Sequence, residues 1–185
     1  MQNRLKIIGG QWRSRPLLFG DSPGLRPTPV RVRETLFNWL QYDIAGSRCL
    51  DLFSGSGALG FEAASRGAEH VLQVENNAQA CLQLKENAQK LAASQVEFVQ
   101  QDVFRFLGGV AEHYNVVFLD PPFADNKALA VCQVLEDKRW LAEKAKIYIE
   151  IKRNQQLAGL PGNWRQLKNK TAGDVNYYLF TRKNL

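Results

Sequence analysis

The sequence predicts an α/β fold: a mostly parallel seven-stranded sheet with helices on both faces, plus an N-terminal β-hairpin. Three observations support this class. From residue 48 onward, short apolar runs typical of buried strands alternate with segments of helical apolar spacing. A glycine-rich segment, SGSGALG, joins the first of these strands to the first helix, and two strand-like runs close the chain. Such alternation builds parallel strands covered by helices, so the ligand site is expected beyond the carboxyl ends of the strands.

The N-terminal region, residues 1–44, is predicted to be a basic extension made of a hairpin and a helix. In residues 4–19 two β-rich runs flank Gly9-Gly10, and this pair suits a two-residue hairpin turn. Residues 20–27 have the composition of a loop. Thr28 is then expected to cap a helix, with Pro29 in its first turn. One face of this helix is apolar, formed by Val32, Leu36, Phe37 and Leu40.

Residues 45–185 are predicted to form the α/β domain, whose elements follow in a regular order. The predicted strands are 48–53, 70–75, 96–102, 115–120 and 145–152, followed by a closing hairpin of 163–170 and 175–183. Helices are predicted from the glycine-rich segment to about Arg66, at 77–92 and at 126–141, with a short helical or irregular link at 103–110.

Composition excludes several classes of protein. The chain has 185 residues, of which 45% are hydrophobic, enough for a sizeable core. No apolar run reaches the roughly 18 residues of a membrane helix, and the N-terminus resembles no signal peptide, so we expect a cytoplasmic protein without a membrane partner. Three scattered cysteines and two distant histidines form no metal-ligand cluster, so no metal is expected. The net charge of +6, with basic residues concentrated before residue 34, favours a polyanionic partner.

Residues 55–60, GSGALG, form a GxGxxG pattern between a strand and a helix, which favours nucleotide-type binding. Glu75 ends the next strand, where an acid accepts ribose hydroxyls; this position fits NAD and S-adenosylmethionine (SAM) equally. Asp51, just before the glycines, would be poorly placed beside a pyrophosphate but suits SAM, which has no phosphate. Asp102 ends the third strand, where it could accept the adenine amino group. The pattern therefore favours SAM over a nicotinamide cofactor.

Asp120, Pro121, Pro122 and Phe123 follow the fourth strand, which is expected beside the first. A nucleobase amine is a poor nucleophile because its lone pair is delocalised into the ring, and acceptors on its two N–H groups would favour rehybridisation. The Asp120 carboxylate and the Pro121 carbonyl, held by two residues of fixed φ, can be these acceptors, and Asp120 can take the released proton. Phe123 offers a stacking face. We predict that these four residues are catalytic; the alternative is a turn that ends a strand.

The combination of DLFSGSGALG and DPPF resembles the Rossmann-like SAM-dependent amino-methyltransferases, which methylate adenine, cytosine or guanine amines or a release-factor glutamine. KIIGGQWRSRPL and LRPTPVRVRETLFNWL are similar to the RsmD family of 16S rRNA guanine-N2 methyltransferases, with Ser14 where many members have glycine. The resemblance covers nearly the whole chain and implies that SAM is the cofactor and that DPPF holds the target guanine. The predicted cofactor residues are Asp51, Ser54, Gly55, Gly57, Glu75, Asp102 and Val103.

The resemblance also implies a partner, 16S rRNA within the small ribosomal subunit or its assembly intermediate, and we expect a monomer. The predicted RNA contacts are Arg4, Trp12, Arg13, Arg15, Arg31 and Arg33. Methylation of another amine, in adenine, cytosine or a release factor, remains the main alternative. A nicotinamide-dependent oxidoreductase would explain the glycines but leaves DPPF without a role, and a non-catalytic RNA-binding protein would explain only the basic region.

Overall fold

The structure is a computed structural model that describes residues 2–20, 27–122 and 127–183. These residues form nine strands and five helices. The strands are β1 (Gln2–Lys6), β2 (Pro16–Gly20), β3 (Arg48–Asp51), β4 (His70–Glu75), β5 (Val96–Gln100), β6 (Tyr114–Leu119), β7 (Leu141–Lys152), β8 (Trp164–Ala172) and β9 (Val175–Arg182). The helices are α1 (Val30–Trp39), α2 (Ala58–Ser65), α3 (Ala78–Leu91), α4 (Val103–Leu107) and α5 (Ala128–Asp137).

Seven strands form one sheet in the order β5-β4-β3-β6-β7-β9-β8. Strands β3 to β7 pair in parallel, and β9 lies antiparallel between β7 and β8. The α/β class is confirmed, and so is the expected pairing of the first and fourth strands of the domain, β3 and β6. Because β4 and β6 lie on opposite sides of β3, the strand order reverses at β3. At such a reversal the connections that follow neighbouring strands diverge, which forms a crevice at the carboxyl ends of the strands.

Both faces of the sheet are buried, because successive side chains of a strand point to opposite sides. On one face, Cys49 and Phe118 belong to a core shared with α1, α2 and α3. On the other face, Leu50 and Val117 belong to a core shared with α4 and α5. None of the helices in the described part of the chain is long and apolar enough to span a membrane.

The N-terminal hairpin is present, but its turn is not the predicted one. β1 and β2 pair from Gln2↔Gly20 to Lys6↔Pro16, so residues 7–15 form the connection rather than Gly9-Gly10 alone. This connection is held by the end of α2: the Gln11 N–H donates to the Ser65 carbonyl at 2.7 Å. Gly10 has φ 74°, and a Cβ there would lie 1.8 Å from the same carbonyl oxygen. Glycine is therefore needed for contact with the helix, not for a tight turn.

Glu62 of α2 joins this connection to the core. Its side chain is fully buried, and its carboxylate accepts the backbone N–H groups of Ile8 and Gly9, each at 2.8 Å. Arg66 Nε donates to it at 2.8 Å, and Arg33 lies 3.6 Å from it. Apolar side chains of the N-terminal region also enter the core of the sheet, among them Ile7, Trp12 and Leu17. The division of the chain into residues 1–44 and 45–185 stays a prediction.

Helix α1 begins at Val30, with Pro29 at the N-cap and without a side-chain cap. The prediction that Thr28 caps this helix was therefore wrong. The Thr28 hydroxyl instead donates to Asp120 Oδ2 at 3.4 Å, which brings the start of α1 to the end of β6. The predicted apolar face of the helix is confirmed, since its four side chains, Val32, Leu36, Phe37 and Leu40, are all buried.

Candidate active site

A cavity of about 1540 Å³ opens at the carboxyl ends of the central strands. It lies where the strand order reverses, the place where α/β sheets bind ligands. One half adjoins residues 54–60, called the glycine loop below, together with the ends of β4 and β5. The other half adjoins Asp120, Pro121 and the end of β7. The structure thus brings the predicted cofactor residues and the described part of the DPPF motif to one cavity.

Glu75 lies at the end of β4 and is tied to the glycine loop. The Gly55 N–H donates to Glu75 Oε2 at 2.8 Å, and the Asn77 N–H donates to Oε1, also at 2.8 Å. Both carboxylate oxygens are thereby held in place. Since each oxygen accepts more than one hydrogen bond, the carboxylate can still accept hydroxyl groups of a ligand in the cavity.

Gly57 lies within the glycine loop and is the N-cap of α2. Its φ is 76°, and a Cβ at this position would lie 2.5 Å from the Leu84 side chain of α3. A side chain would therefore force its neighbours to shift, and the positive φ itself favours glycine at this position.

Asp51 lies at the end of β3, where its buried carboxylate accepts the Gly60 N–H at 3.1 Å. Burial raises the pKa of Asp51 to about 7, and the nearby charge of Glu75 acts in the same direction. Ser54 Oγ lies within hydrogen-bond distance of the Asp51 and Val74 carbonyls, at 2.9 and 3.2 Å. These contacts fix the glycine loop to both strands, and Asp51 and Ser54 also line the cavity.

Asp102 and Val103 form the wall of the cavity beyond β5. Asp102 Oδ1 accepts the N–H groups of Phe104 and Arg105 at 2.9 and 3.2 Å, so this acid caps α4. The second carboxylate oxygen makes neither bond. Because Asp102 is exposed, this oxygen can accept a donor from a ligand while the cap stays intact.

Asp120 follows β6 directly and lines the cavity with Pro121 and Pro122. Burial holds the pKa of the Asp120 carboxyl well above its usual range, and the negative charges of Glu150 and Asp51 raise it further. The Thr28 hydroxyl acts in the opposite direction through its hydrogen bond. Phe123 lies outside the described residues, so its role in stacking stays a prediction.

Glu150 is a second acid beside Asp120 that the sequence analysis missed. Leu119 pairs with Ile149 across β6 and β7, so Asp120 and Glu150 follow at the same level on neighbouring strands. Glu150 is 4% exposed, lines the cavity and accepts the hydroxyl of buried Tyr148 at 2.9 Å. Burial raises the pKa of Glu150, and the Tyr148 hydrogen bond opposes this. The signal in the sequence was weak, because Glu150 falls on the polar phase of the regular alternation in AKIYIEIK.

Lys152 and Arg153 at the end of β7 were also missed by the sequence analysis. Both are exposed, and both line the outer part of the cavity. Basic residues at the end of a strand are common on protein surfaces, so the sequence alone did not mark these two as site residues. They reach the cavity only because β7 lies beside β6 in the sheet.

Four of the six predicted RNA-contacting residues are exposed: Arg4, Arg13, Arg15 and Arg31. Arg31 lies in the first turn of α1, two residues after Pro29, which lines the cavity. Arg13 and Arg15 lie in the 7–15 connection, which packs on the carboxyl end of α2. Since α2 begins at the glycine loop, these two arginines lie at the end of the sheet opposite to the cavity.

Arg33 and Trp12 are placed inside the protein, which corrects the prediction that they contact RNA. Arg33 is 1% exposed and donates to the carbonyls of Thr28 and Lys6 at 3.1 and 3.0 Å. Trp12 is 4% exposed. Arg33 compensates the buried charge of Glu62 and Trp12 fills the core, so neither belongs to the proposed RNA surface.

Within the described ranges, no group of three or more His, Cys, Asp or Glu residues could hold a metal ion. Five acids of the cavity follow separate strands, and each accepts an N–H or O–H donor: Asp51, Glu75, Asp102, Asp120 and Glu150. Their chemistry is that of hydrogen-bond acceptors for a ligand with several donors.

Comparison with known proteins gives close relatives. The family model described as conserved hypothetical protein 95 matches residues 5–181. The Ribosomal RNA small subunit methyltransferase D of Escherichia coli (strain K12) is 44% identical over 180 residues, covering 97% of this chain and 91% of the relative. The protein of the same name from Haemophilus influenzae is 45% identical over 183 residues, covering 97% and 94%.

Solved structures agree with this assignment. The Escherichia coli protein yhhF superposes with a TM-score of 0.89 at 42% identity, covering 99% of this chain and 100% of that chain. The fold, with its N-terminal hairpin and seven-stranded sheet, is thus shared along the whole length. The family match and the identity of the relatives confirm the resemblance seen in the sequence, and the chain belongs to the RsmD family.

Proposed function

We propose that this protein transfers a methyl group from SAM to the N2 amine of a guanine in the 16S rRNA of the small ribosomal subunit. SAM-dependent methylation of ribosomal RNA follows from membership of the RsmD family. The choice of the guanine N2 amine as the methylated group and the roles of individual residues go beyond family membership and are proposals. The observation that carries it is the position of Asp120 in the same cavity as the glycine loop and Glu75.

The residues around the glycine loop fit SAM. Three carboxylates, those of Asp51, Glu75 and Asp102, line this half of the cavity; they accept hydroxyl and amine donors and would repel a pyrophosphate. In the proposal Glu75 accepts the ribose hydroxyls and Asp102 the adenine amine. Gly55 and Gly57 allow a ligand to approach the backbone. When bound, SAM supplies a methyl group on a positively charged sulfur, and the acidic lining favours that charge.

The target amine is proposed to lie between Asp120 and the Pro121 carbonyl. These two acceptors would hold its two N–H groups and favour the rehybridisation that makes nitrogen nucleophilic. The raised pKa of Asp120 makes this carboxylate a stronger base than an ordinary one, so it is suited to take the proton that leaves the amine. Positioning of the amine and preorganised acceptors account for most of the proposed catalysis.

The RNA is proposed to approach over the β7 end of the cavity and the start of α1. Arg31, Lys152 and Arg153 are exposed there and can contact phosphates that flank the target nucleotide. A base in an unpaired loop could enter the cavity directly, and a base in a stem would have to be flipped. Arg4, Arg13 and Arg15 would contact RNA farther from the target.

A methyl-transfer assay tests the proposal. Small ribosomal subunits that lack the modification are incubated with the protein and methyl-labelled SAM, and the labelled nucleotide is identified by digestion and mass spectrometry. The expected product is N2-methylguanosine at one position of 16S rRNA. Labelled adenine or cytosine, or transfer to a release-factor glutamine instead, would contradict the proposed substrate. Binding of NAD but not SAM in a calorimetric titration would contradict the reaction class.

A further inference from the structure

We infer that Glu150 determines specificity for guanine by accepting the N1–H of the target base, beside the amine held by Asp120. This assignment rests on the proposed function and names the part of the base that the cavity distinguishes. Glu150 has no counterpart in the GxGxxG or DPPF motif, and its position emerges only from the pairing of β6 with β7.

The geometry places Glu150 where it can contact the target base. It lines the cavity beside Asp120, at the same level of the adjacent parallel strand. The Tyr148 hydroxyl donates to Glu150 Oε2 at 2.9 Å. Because Tyr148 is fully buried, this bond orients the carboxylate, while the other oxygen, Oε1, takes no part in it and can accept a donor from a ligand.

Glu150 forms no direct ion pair with a Lys or Arg of the described part of the chain. Within residues 2–20, 27–122 and 127–183, no Lys or Arg forms an ion pair with it, and its negative charge and that of Asp120 repel each other. A buried carboxylate without a cation is unfavourable, and packing alone would be served better by an apolar side chain. A donor on the ligand would compensate this cost.

Among the bases that carry an exocyclic amine, guanine alone has an N–H beside that amine on the ring. In guanine the N2 amine neighbours N1–H, whereas the N6 amine of adenine and the N4 amine of cytosine neighbour an unprotonated ring nitrogen. A carboxylate beside Asp120 would accept N1–H of guanine. The same carboxylate would face a lone pair in adenine or cytosine, and a site built to bind an N–H rejects analogues that lack it.

The test uses particles with a modified target base. Once the target is mapped, small subunits are reconstituted with a synthetic RNA segment that carries guanine, 2-aminopurine or 2,6-diaminopurine at that position. Both analogues keep the 2-amine but lack the proton on N1, and they differ from each other at C6, so an effect common to both reports on N1. The measured quantity is the ratio of kcat/KM for guanine to that for each analogue.

Wild-type protein is expected to prefer guanine by at least about 100-fold. Glu150→Gln, which can present either an amide oxygen or an amide N–H, should lower this ratio at least about tenfold. Tyr148→Phe should lower it less, because the carboxylate stays but loses its orienting bond. Glu69→Gln is the matched control, since Glu69 is exposed before β4, at the opposite end of the sheet, and its ratio should equal that of the wild type.

The outcomes separate the two proposals. If the wild type methylates guanine and folded Glu150→Gln keeps the full preference, the role of Glu150 is refuted and the proposed function stands. If the wild type methylates no guanine, both are refuted. Glu150→Gln removes a charge from a repulsive cluster, so we expect it to fold; Glu150→Met, apolar and of similar length, gives the same test, with loss of preference supporting the inference and an unchanged ratio refuting it.

Discussion

The backbone N–H of Gly55 donates to Glu75 Oε2 at 2.8 Å, across 20 residues of sequence. This bond connects the glycine loop after β3 to the end of β4, the two strands that border the cofactor half of the cavity. Glu75 is therefore part of the wall that holds the loop, as well as the acceptor proposed for ribose hydroxyls. The two roles can be separated by substitution.

Glu75→Ala should weaken SAM binding by about 1–3 kcal/mol, because it removes the acceptors for hydroxyls. Isothermal titration calorimetry measures this loss. Glu75→Gln retains one oxygen that can accept the Gly55 N–H, so the loop stays in place and a smaller loss is expected. Glu97→Gln on β5, where the side chain is 69% exposed, serves as the control. Equal SAM affinity in Glu75→Ala and wild type would show that the acid only supports the loop.

Replacement of Asp120 tests the catalytic proposal. Asp120→Ala should reduce the rate of methyl transfer at least roughly 10²–10³-fold, the scale for loss of one preorganised polar contact. Asp120→Asn keeps an oxygen acceptor but loses the charge and the basicity. If Asp120 works mainly as a hydrogen-bond acceptor, the Asn variant retains measurable turnover; if proton removal dominates, both variants are equally poor.

Single-turnover assays on unmethylated small subunits give these rates. Both variants should bind SAM with nearly wild-type affinity, because Asp120 lines the half of the cavity away from Glu75 and Asp102. Substantial methyl transfer by folded Asp120→Ala would show that the Asp-Pro-Pro segment serves only as a turn, and it would contradict the proposed chemistry.

The raised pKa of Asp51 predicts a pH-dependent stability. The carboxyl binds its proton more tightly when folded, at a pKa of about 7, than at its ordinary value of 3.8. The contribution of Asp51 to the free energy of unfolding is therefore fully present below pH 3.8 and is lost as pH rises through about 7. Asp51→Asn cannot ionise, so its free energy of unfolding relative to wild type should rise by about 4 kcal/mol across this window, at about 1.4 kcal/mol per pH unit.

Urea unfolding at pH 5 and pH 8 measures the difference between Asp51→Asn and wild type. Exposed Asp137 provides the control, and Asp137→Asn should show the same difference from wild type at both pH values. A difference for Asp51→Asn that is independent of pH would mean that Asp51 keeps an ordinary pKa despite its burial.

Arg31 and Arg33 are two residues apart on α1 and should behave differently. Exposed Arg31 is expected to contact RNA, so Arg31→Gln should weaken binding to small subunits. The salt dependence of binding should also become less steep, by the amount that corresponds to about one phosphate contact. Buried Arg33 compensates Glu62, so Arg33→Gln should lower the free energy of unfolding by about 3–5 kcal/mol. Salt titrations of binding and urea unfolding separate the effects. A stability loss in Arg31→Gln, or none in Arg33→Gln, would contradict this assignment.

The strands and helices of residues 45–185 could be predicted because their signals are local. Apolar spacing identified every strand of the sheet, from β3 to β9, to within a few residues, apart from the longer β7. The glycine loop and the acids that end β3, β4 and β6 were recognisable for the same reason, since parallel strands bring their carboxyl ends to one edge of a sheet.

The N-terminal region was predicted less well because its contacts are distant in sequence. The 7–15 connection takes its shape from Glu62 and Ser65, whose bonds span 53–56 residues. The same contacts bury Arg33 and Trp12, which resemble surface residues in a basic segment. A sequence shows the charge of an arginine, but not whether a buried carboxylate compensates it.

The residues of the site also differ in whether local sequence or tertiary structure identifies them. Local sequence was enough to place Asp51, Glu75 and Asp120 at strand ends and to propose what each accepts. The pairing of Leu119 with Ile149, and with it the neighbour of Asp120, depends on the order of the strands in the sheet. Thr28 and Glu150 come to Asp120 from segments 92 and 30 residues away. Proximity between such segments arises from burial of whole sheet faces, a cooperative property of the chain that no short motif contains.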